Sequence, residues 1–241
     1  MERLDDILGY KDLSIYQNSD YFSFSLDSII LANYSNIRLR DKKIVDFCTG
    51  NAVVPLILSK RTKSKIYGVE IQEKVFELAK KSVEYNNLEE QIILINQDVV
   101  DFAKENINKF DLVLCNPPYF KVDKKSVVNE SQEKMIARHE VMIDLEKLCD
   151  SAKKVLKDNG NLYLVHRSER LMEILELLRK NKLEPKKIKF IHESIKKEST
   201  LVIIEAQKCG KVGLKIEEPL ILYNLDKSET EEYKKLQKEV R

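Results

Sequence analysis

From residue 44 onward the chain alternates between two hydrophobic rhythms. Short, nearly continuous apolar runs occupy residues 44–48 (IVDFC), 65–71 (KIYGVEI), 91–96 (QIILIN), 110–115 (FDLVLC) and 161–166 (NLYLVH). Runs this short, rich in Ile, Val and Phe, predict strands buried on both faces. Between them lie segments with helical spacing. In 72–86, for example, Val75, Phe76, Leu78, Ala79 and Val83 fall on one face. Strand–helix alternation of this kind predicts an α/β fold with a mostly parallel sheet and helices on both faces. Two further helices are predicted over 144–156 and 168–181, with Asp144 and Ser168 as N-caps and Asn159-Gly160 as a turn after the first.

The rhythm changes at both ends. Residues 187–193 (KIKFIHE) and 200–208 (TLVIIEAQK) are separated by a polar stretch too short for a helix, which predicts an antiparallel hairpin. Near the start, a strand or hairpin is expected around residues 15–24, then a helix from about Asp27. The division that follows is an N-terminal extension at 1–40, a core at 41–210 and a strand–helix tail at 211–241.

Composition adds exclusions. The 241 residues are 43% hydrophobic, enough for a sizeable core. The N-terminus, MERLDDILGYKD, is too polar for a signal peptide, and no apolar run approaches the ~20 residues that span a bilayer. The four cysteines are far apart with no CxxC spacing, so free thiols, no metal and a cytoplasmic location are expected. Net charge is only +2, but it is unevenly spread: residues 121–215 hold 22 Lys and Arg against 15 Asp and Glu. The densest run, 179–189, has six basic residues and one acidic one. It is either a solvated face or a contact for polyanions.

Candidate chemistry sits where the strands end, because open α/β sheets bind ligands past their carboxyl ends. The first core strand runs into Asp46-Phe-Cys-Thr-Gly50-Asn-Ala, where Gly50 permits a tight turn before a helix N-terminus. The second ends at Glu70, an acid suited to both hydroxyls of a ribose. The third is followed by Asp98, suited to an exocyclic amine or to capping the next helix. The fourth ends in Asn116-Pro117-Pro118-Tyr119. A nicotinamide site shares the first three features but has no use for the last. With three histidines and no Ser/His/Asp grouping, nucleophilic hydrolysis is disfavoured.

In that order and spacing the residues resemble the class I, Rossmann-like S-adenosyl-L-methionine-dependent methyltransferases, and within them the amino-methylating branch marked by (N/D)PP(Y/F). The FSFSLDSIILA (22–32), ARHE (137–140) and LVHRSER (164–170) stretches are similar to one family there, the bacterial tRNA1(Val) adenosine methyltransferases, which modify N6 of adenosine 37 beside the anticodon. The resemblance implies that Asp46, Cys48, Gly50 and Asn51 line the cofactor's methionine end, that Glu70 holds the ribose, that Asp98 and Val99 flank the adenine, and that Asp27, Ile71 and Asn116 also lie against the cofactor. It implies catalysis by Asn116, Pro117 and Tyr119. The partner it implies is the tRNA anticodon stem-loop, contacted by Tyr119, Phe120, Lys121, Arg138, His139 and Glu140. Lys186, Lys187 and Lys189 of the basic run are further candidates for RNA contact.

The chemistry suits such a site. A ring-conjugated amine is a poor nucleophile because its lone pair is spread into the ring. Two acceptors, the Asn116 side-chain oxygen and the Pro117 carbonyl, can draw its N–H bonds out of plane and aim the lone pair. The prolines freeze the carbonyl's direction, and a flat ring at Tyr119 can stack on a base. The same motif serves guanine N2 and the side-chain amide of glutamine. Only some 40 residues precede the first core strand, too few for the helical domain usual in glutamine methyltransferases of release factors.

Overall fold

The computed structural model describes residues 1–18, 25–118 and 144–237. In chain order it has β1 (Glu2–Ile7), β2 (Tyr10–Asn18), α1 (Leu26–Tyr34), β3 (Lys43–Phe47), α2 (Val53–Arg61), β4 (Lys65–Glu70), α3 (Glu73–Tyr85), β5 (Ile92–Asn96), α4 (Val99–Glu105) and β6 (Phe110–Cys115). Then come α5 (Leu145–Val155), β7 (Leu156–Arg167), α6 (Leu171–Lys180), β8 (Leu183–Ser194), β9 (Ser199–Lys208), β10 (Lys215–Ile216), β11 (Leu220–Tyr223) and α7 (Glu231–Gln237).

The main sheet has the order β10-β8-β9-β7-β6-β3-β4-β5, with β11 also pairing β8. The β3, β4, β5, β6 and β7 pairings are parallel, while β9 runs antiparallel to both β7 and β8. Successive residues of the central strands face opposite cores. Leu112 and Leu114 pack with α1, α2 and α3, whereas Val113 and Cys115 pack with α4, α5 and α6. All four are fully buried, which is why the run FDLVLC shows no polar alternation. Each aliphatic side chain so buried contributes about 1.5–3 kcal/mol.

The sequence differs from the structure in three local places. The N-terminal hairpin is earlier than expected: β1 and β2 pair across a turn with Gly9 at φ 85. It docks on α3 through the Ser82 hydroxyl and Asn86 side chain, which bond the backbone of Tyr16 and Ser14. Asn159-Gly160 makes a bulge inside β7, with Asn159 at φ 62, and the strand continues through it. Ser168 does not cap α6, because its hydroxyl bonds the Ser199 carbonyl across to β9 and a 3-10 turn (Ser168–Arg170) precedes the helix. Asp144 caps α5 as expected, accepting from Glu146 N at 3.1 Å.

Candidate active site

Parallel register lines up the ends of four strands. Phe47 pairs with Val69 on one side and with Cys115 on the other, and Glu70 pairs with Asn96. The segments that leave these ends, beginning at Cys48, Ile71, Gln97 and Asn116, therefore border one cleft at the carboxyl edge of the sheet.

The loop from β3 to α2 has one glycine but three left-handed residues. Cys48, Gly50 and Ala52 have φ of 56, 58 and 70. Only Gly50 adopts such a φ without strain, while Cys48 and Ala52 are held by packing. A Cβ built on Gly50 meets nothing within 4 Å, so its face is open to a ligand.

Two buried acids brace this loop. Asp46, 2% exposed, accepts from the Thr49 hydroxyl at 2.6 Å. Burial pushes its carboxyl up to about 8, with the Thr49 hydrogen bond opposing and the Glu70 charge adding. Glu70, 4% exposed, accepts Gly50 N–H through Oε2 and Gln72 N–H through Oε1, both at 2.9 Å. Burial raises its pKa, and the amides of Gln72 and Gly50 oppose that rise. Gly68 lets this pack so closely: a Cβ there would come within 2.9 Å of Leu94 and 3.0 Å of Thr49.

The remaining expected residues divide. Ile71 is 45% exposed beside Glu70, and Val99 is buried behind Asp98. Asp98 caps α4, accepting from Val100 N at 2.6 Å through one oxygen. Asn51 stands in the β3–α2 loop. It is 4% exposed and donates through Nδ2 to the Tyr16 carbonyl at 3.2 Å, so its side chain anchors the loop to β2. Asp27 lies in the first turn of α1. Tyr119, Phe120, Lys121, Arg138, His139 and Glu140 lie outside the described residues.

Asn116 begins the segment after β6, with Pro117 buried next to it. Its Nδ2 donates to Ser28 Oγ at 2.8 Å and to Ser25 Oγ at 3.3 Å. These serines, with Thr49, Gly68 and Ala52, are site residues the sequence did not single out. A glycine inside the apolar run KIYGVEI was a signal of close backbone approach for Gly68. The serines read as ordinary helix-start residues.

The lysines of the basic run that lie on β8 are paired within the chain. Lys187 sits 3.2 Å from Glu205 and 3.7 Å from Glu217, and Lys189, 8% exposed, bonds the Glu218 carbonyl at 2.9 Å and Glu232 at 2.8 Å. Lys186 bonds the Lys211 carbonyl. The three tie the C-terminal tail to β8, two strands beyond β7. Part of their charge is therefore paired within the chain.

Among the described residues no cluster of His, Cys, Asp or Glu could hold a metal ion, and no helix is long and apolar enough to cross a membrane. The residues present fit S-adenosyl-L-methionine. Glu70 offers a carboxylate acceptor to a ribose hydroxyl, Ile71 offers an apolar surface for a flat base, and buried Asp46 suits a cationic group beside the open face of Gly50.

Comparison with known proteins agrees. The chain is 26% identical over 176 residues to a tRNA1(Val) (adenine(37)-N6)-methyltransferase of Porphyromonas gingivalis, covering 70% of this chain and 68% of that one. A protein of the same name from Flavobacterium psychrophilum is 26% identical, with 66% and 67% covered. Among solved structures, an Agrobacterium tumefaciens protein described as an O-methyltransferase superposes with a TM-score of 0.69 at 19% identity, covering 88% of this chain and 95% of that one. M. jannaschii TYW2 in complex with AdoMet superposes at 0.57 and 17%, covering 86% and 85%. These structures share the Rossmann-like methyltransferase fold. The family model described as the methyltransferase small domain matches residues 25–190, and the chain belongs to that family.

Proposed function

We propose that this protein transfers a methyl group from S-adenosyl-L-methionine to the exocyclic N6 of adenosine 37 in tRNA1(Val), beside the anticodon. The observation that carries the reading is the amide of Asn116. It stands at the end of β6, one strand from the loop that Glu70 and Asp46 brace, with its NH2 turned to α1. The names of the curated relatives support tRNA as the substrate class, and a tRNA substrate fits a cytoplasmic enzyme.

Bound in the cleft, the cofactor supplies an activated methyl on a sulfonium. The chain's own residues do the rest. Glu70 and Ile71 orient the adenosyl end, and Asp46 answers its positive charge. The Asn116 oxygen and the Pro117 carbonyl take the two N–H bonds of the target amine. That withdraws its lone pair from the ring and points it at the methyl, a gain of preorganisation. Tyr119 supplies a ring on which the splayed base stacks. The amine becomes more acidic as it is methylated, so its proton leaves without a strong base.

The test is transfer of labelled methyl to unmodified tRNA1(Val) transcripts bearing adenosine or guanosine at position 37, followed by nucleoside mass spectrometry. The reading requires N6-methyladenosine from the first and no product from the second. Methylation elsewhere, or of a release-factor glutamine instead, overturns it.

A further inference from the structure

The first turn of α1 holds two serines whose hydroxyls are not used as such residues usually are. Ser25 occupies the N-cap position with extended backbone, at φ −100 and ψ 160, yet its side chain makes no cap bond. An N-cap serine ordinarily accepts from the N–H two or three residues on. Here the hydroxyl instead faces Asn116, 91 residues away, at 3.3 Å. Ser28, 7% exposed, takes the same Asn116 NH2 at the shorter distance of 2.8 Å. An amide carries its oxygen and nitrogen on one planar carbon. Fixing the NH2 on two hydroxyls therefore fixes the oxygen's direction as well, away from α1.

We propose that Ser28, assisted by Ser25, is a positioning residue that sets the rotamer and flip state of the Asn116 amide, so that its oxygen faces the substrate amine. The proposal rests on the proposed function above and deepens it. Without the serines the amide could turn over and present a donor pair to an amine that is itself a donor. The bonds by which Glu70 braces the loop at Gly50 lie on other elements than this pair. The consequence is specific: Ser28 should matter to the chemical step and act only through Asn116.

The experiment is single-turnover methyl transfer on tRNA1(Val) by the whole protein and by Ser28→Ala, Ser25→Ala, Asn116→Ala and the Ser28→Ala/Asn116→Ala double variant. Cofactor affinity and Tm are measured on each. Alanine keeps the helix, so folding should hold. Loss of one buried hydrogen bond corresponds to about a tenfold slower step in Ser28→Ala. Ser25→Ala, with the longer contact, should lose less. In the Asn116→Ala background, Ser28→Ala should slow transfer no further. Additive effects in the double variant, or a Ser28→Ala loss confined to RNA affinity or Tm, overturn the positioning role. If Ser28→Ala lowers Tm strongly, Ser25→Ala and its coupling to Asn116 decide in the same way. If the wild type transfers no methyl to tRNA, it is the proposed function that fails; the serine proposal fails alone when the wild type is active and Ser28→Ala equals it.

Discussion

The Glu70 carboxylate accepts the Gly50 amide at 2.9 Å through one oxygen and the Gln72 amide at 2.9 Å through the other. One side chain thus joins the end of β4 to the loop after β3. Glu70→Gln places an amide NH2 against one of two backbone donors. It should destabilise the protein by roughly 1–3 kcal/mol and weaken S-adenosyl-L-methionine binding by at least tenfold. Urea unfolding and calorimetry check both, and unchanged cofactor affinity would remove Glu70 from the binding site.

Asp46 links the site to pH. Its folded-state pKa of about 8 lies above the ordinary carboxylate value near 4, so the folded protein holds a proton that the unfolded chain releases. This group's contribution to stability is complete below about pH 4 and is lost as pH rises through about 8. Asp46→Asn should therefore flatten the decline of Tm across that window in cofactor-free protein while weakening cofactor binding. If a cationic ligand draws Asp46 into its charged form, binding should release a proton near pH 7. Calorimetry in buffers of different ionisation enthalpy reads that proton directly, and zero release contradicts the role given to Asp46.

Ala52 is fully buried at φ 70, in the third left-handed position of the loop. Ala52→Val puts a branched side chain where L-residues are already strained and where there is no room. The cost should be at least ~2 kcal/mol, with loss of cofactor binding. Ala52→Gly suits the backbone and should cost under ~1 kcal/mol with affinity kept. Equal tolerance of Val and Gly in thermal unfolding would contradict the packing described.

The strand pattern was legible because central parallel strands are buried on both faces, so IVDFC and FDLVLC stand out as nearly continuous apolar runs. The order Asp46, Gly50, Glu70, Asp98, Asn116 was legible because each residue lies near the carboxyl end of such a run or just past it. The loop path was not. Local propensity gives no reason for Cys48 and Ala52 to adopt positive φ, which only their packing against the cores enforces. Nor could sequence separate an exposed basic face from paired lysines, because the partners Glu205, Glu217 and Glu232 lie far along the chain. The same holds for Ser25 and Ser28, whose local signal is a helix cap and whose actual partner is Asn116.

Lys189 separates the two readings of the basic run. Lys189→Met should lower stability by about 1–2 kcal/mol, since the Glu218 carbonyl and Glu232 lose their donor. The slope of tRNA affinity against salt should stay the same, whereas loss of a phosphate contact would reduce it by about one. A reduced slope at unchanged stability would place this lysine on the RNA surface.

The central claim is that the Asn116 amide activates the N6 amine of adenosine 37. Single-turnover transfer to tRNA1(Val) with the cofactor saturating, comparing wild type with Asn116→Ala, tests it most directly. The account predicts N6-methyladenosine at position 37 from the wild type, and transfer slower by roughly 10²–10³-fold in the variant, with cofactor affinity and fold retained. Near-normal transfer by Asn116→Ala would mean that the strand-end amide is structural and that the mechanism is wrong.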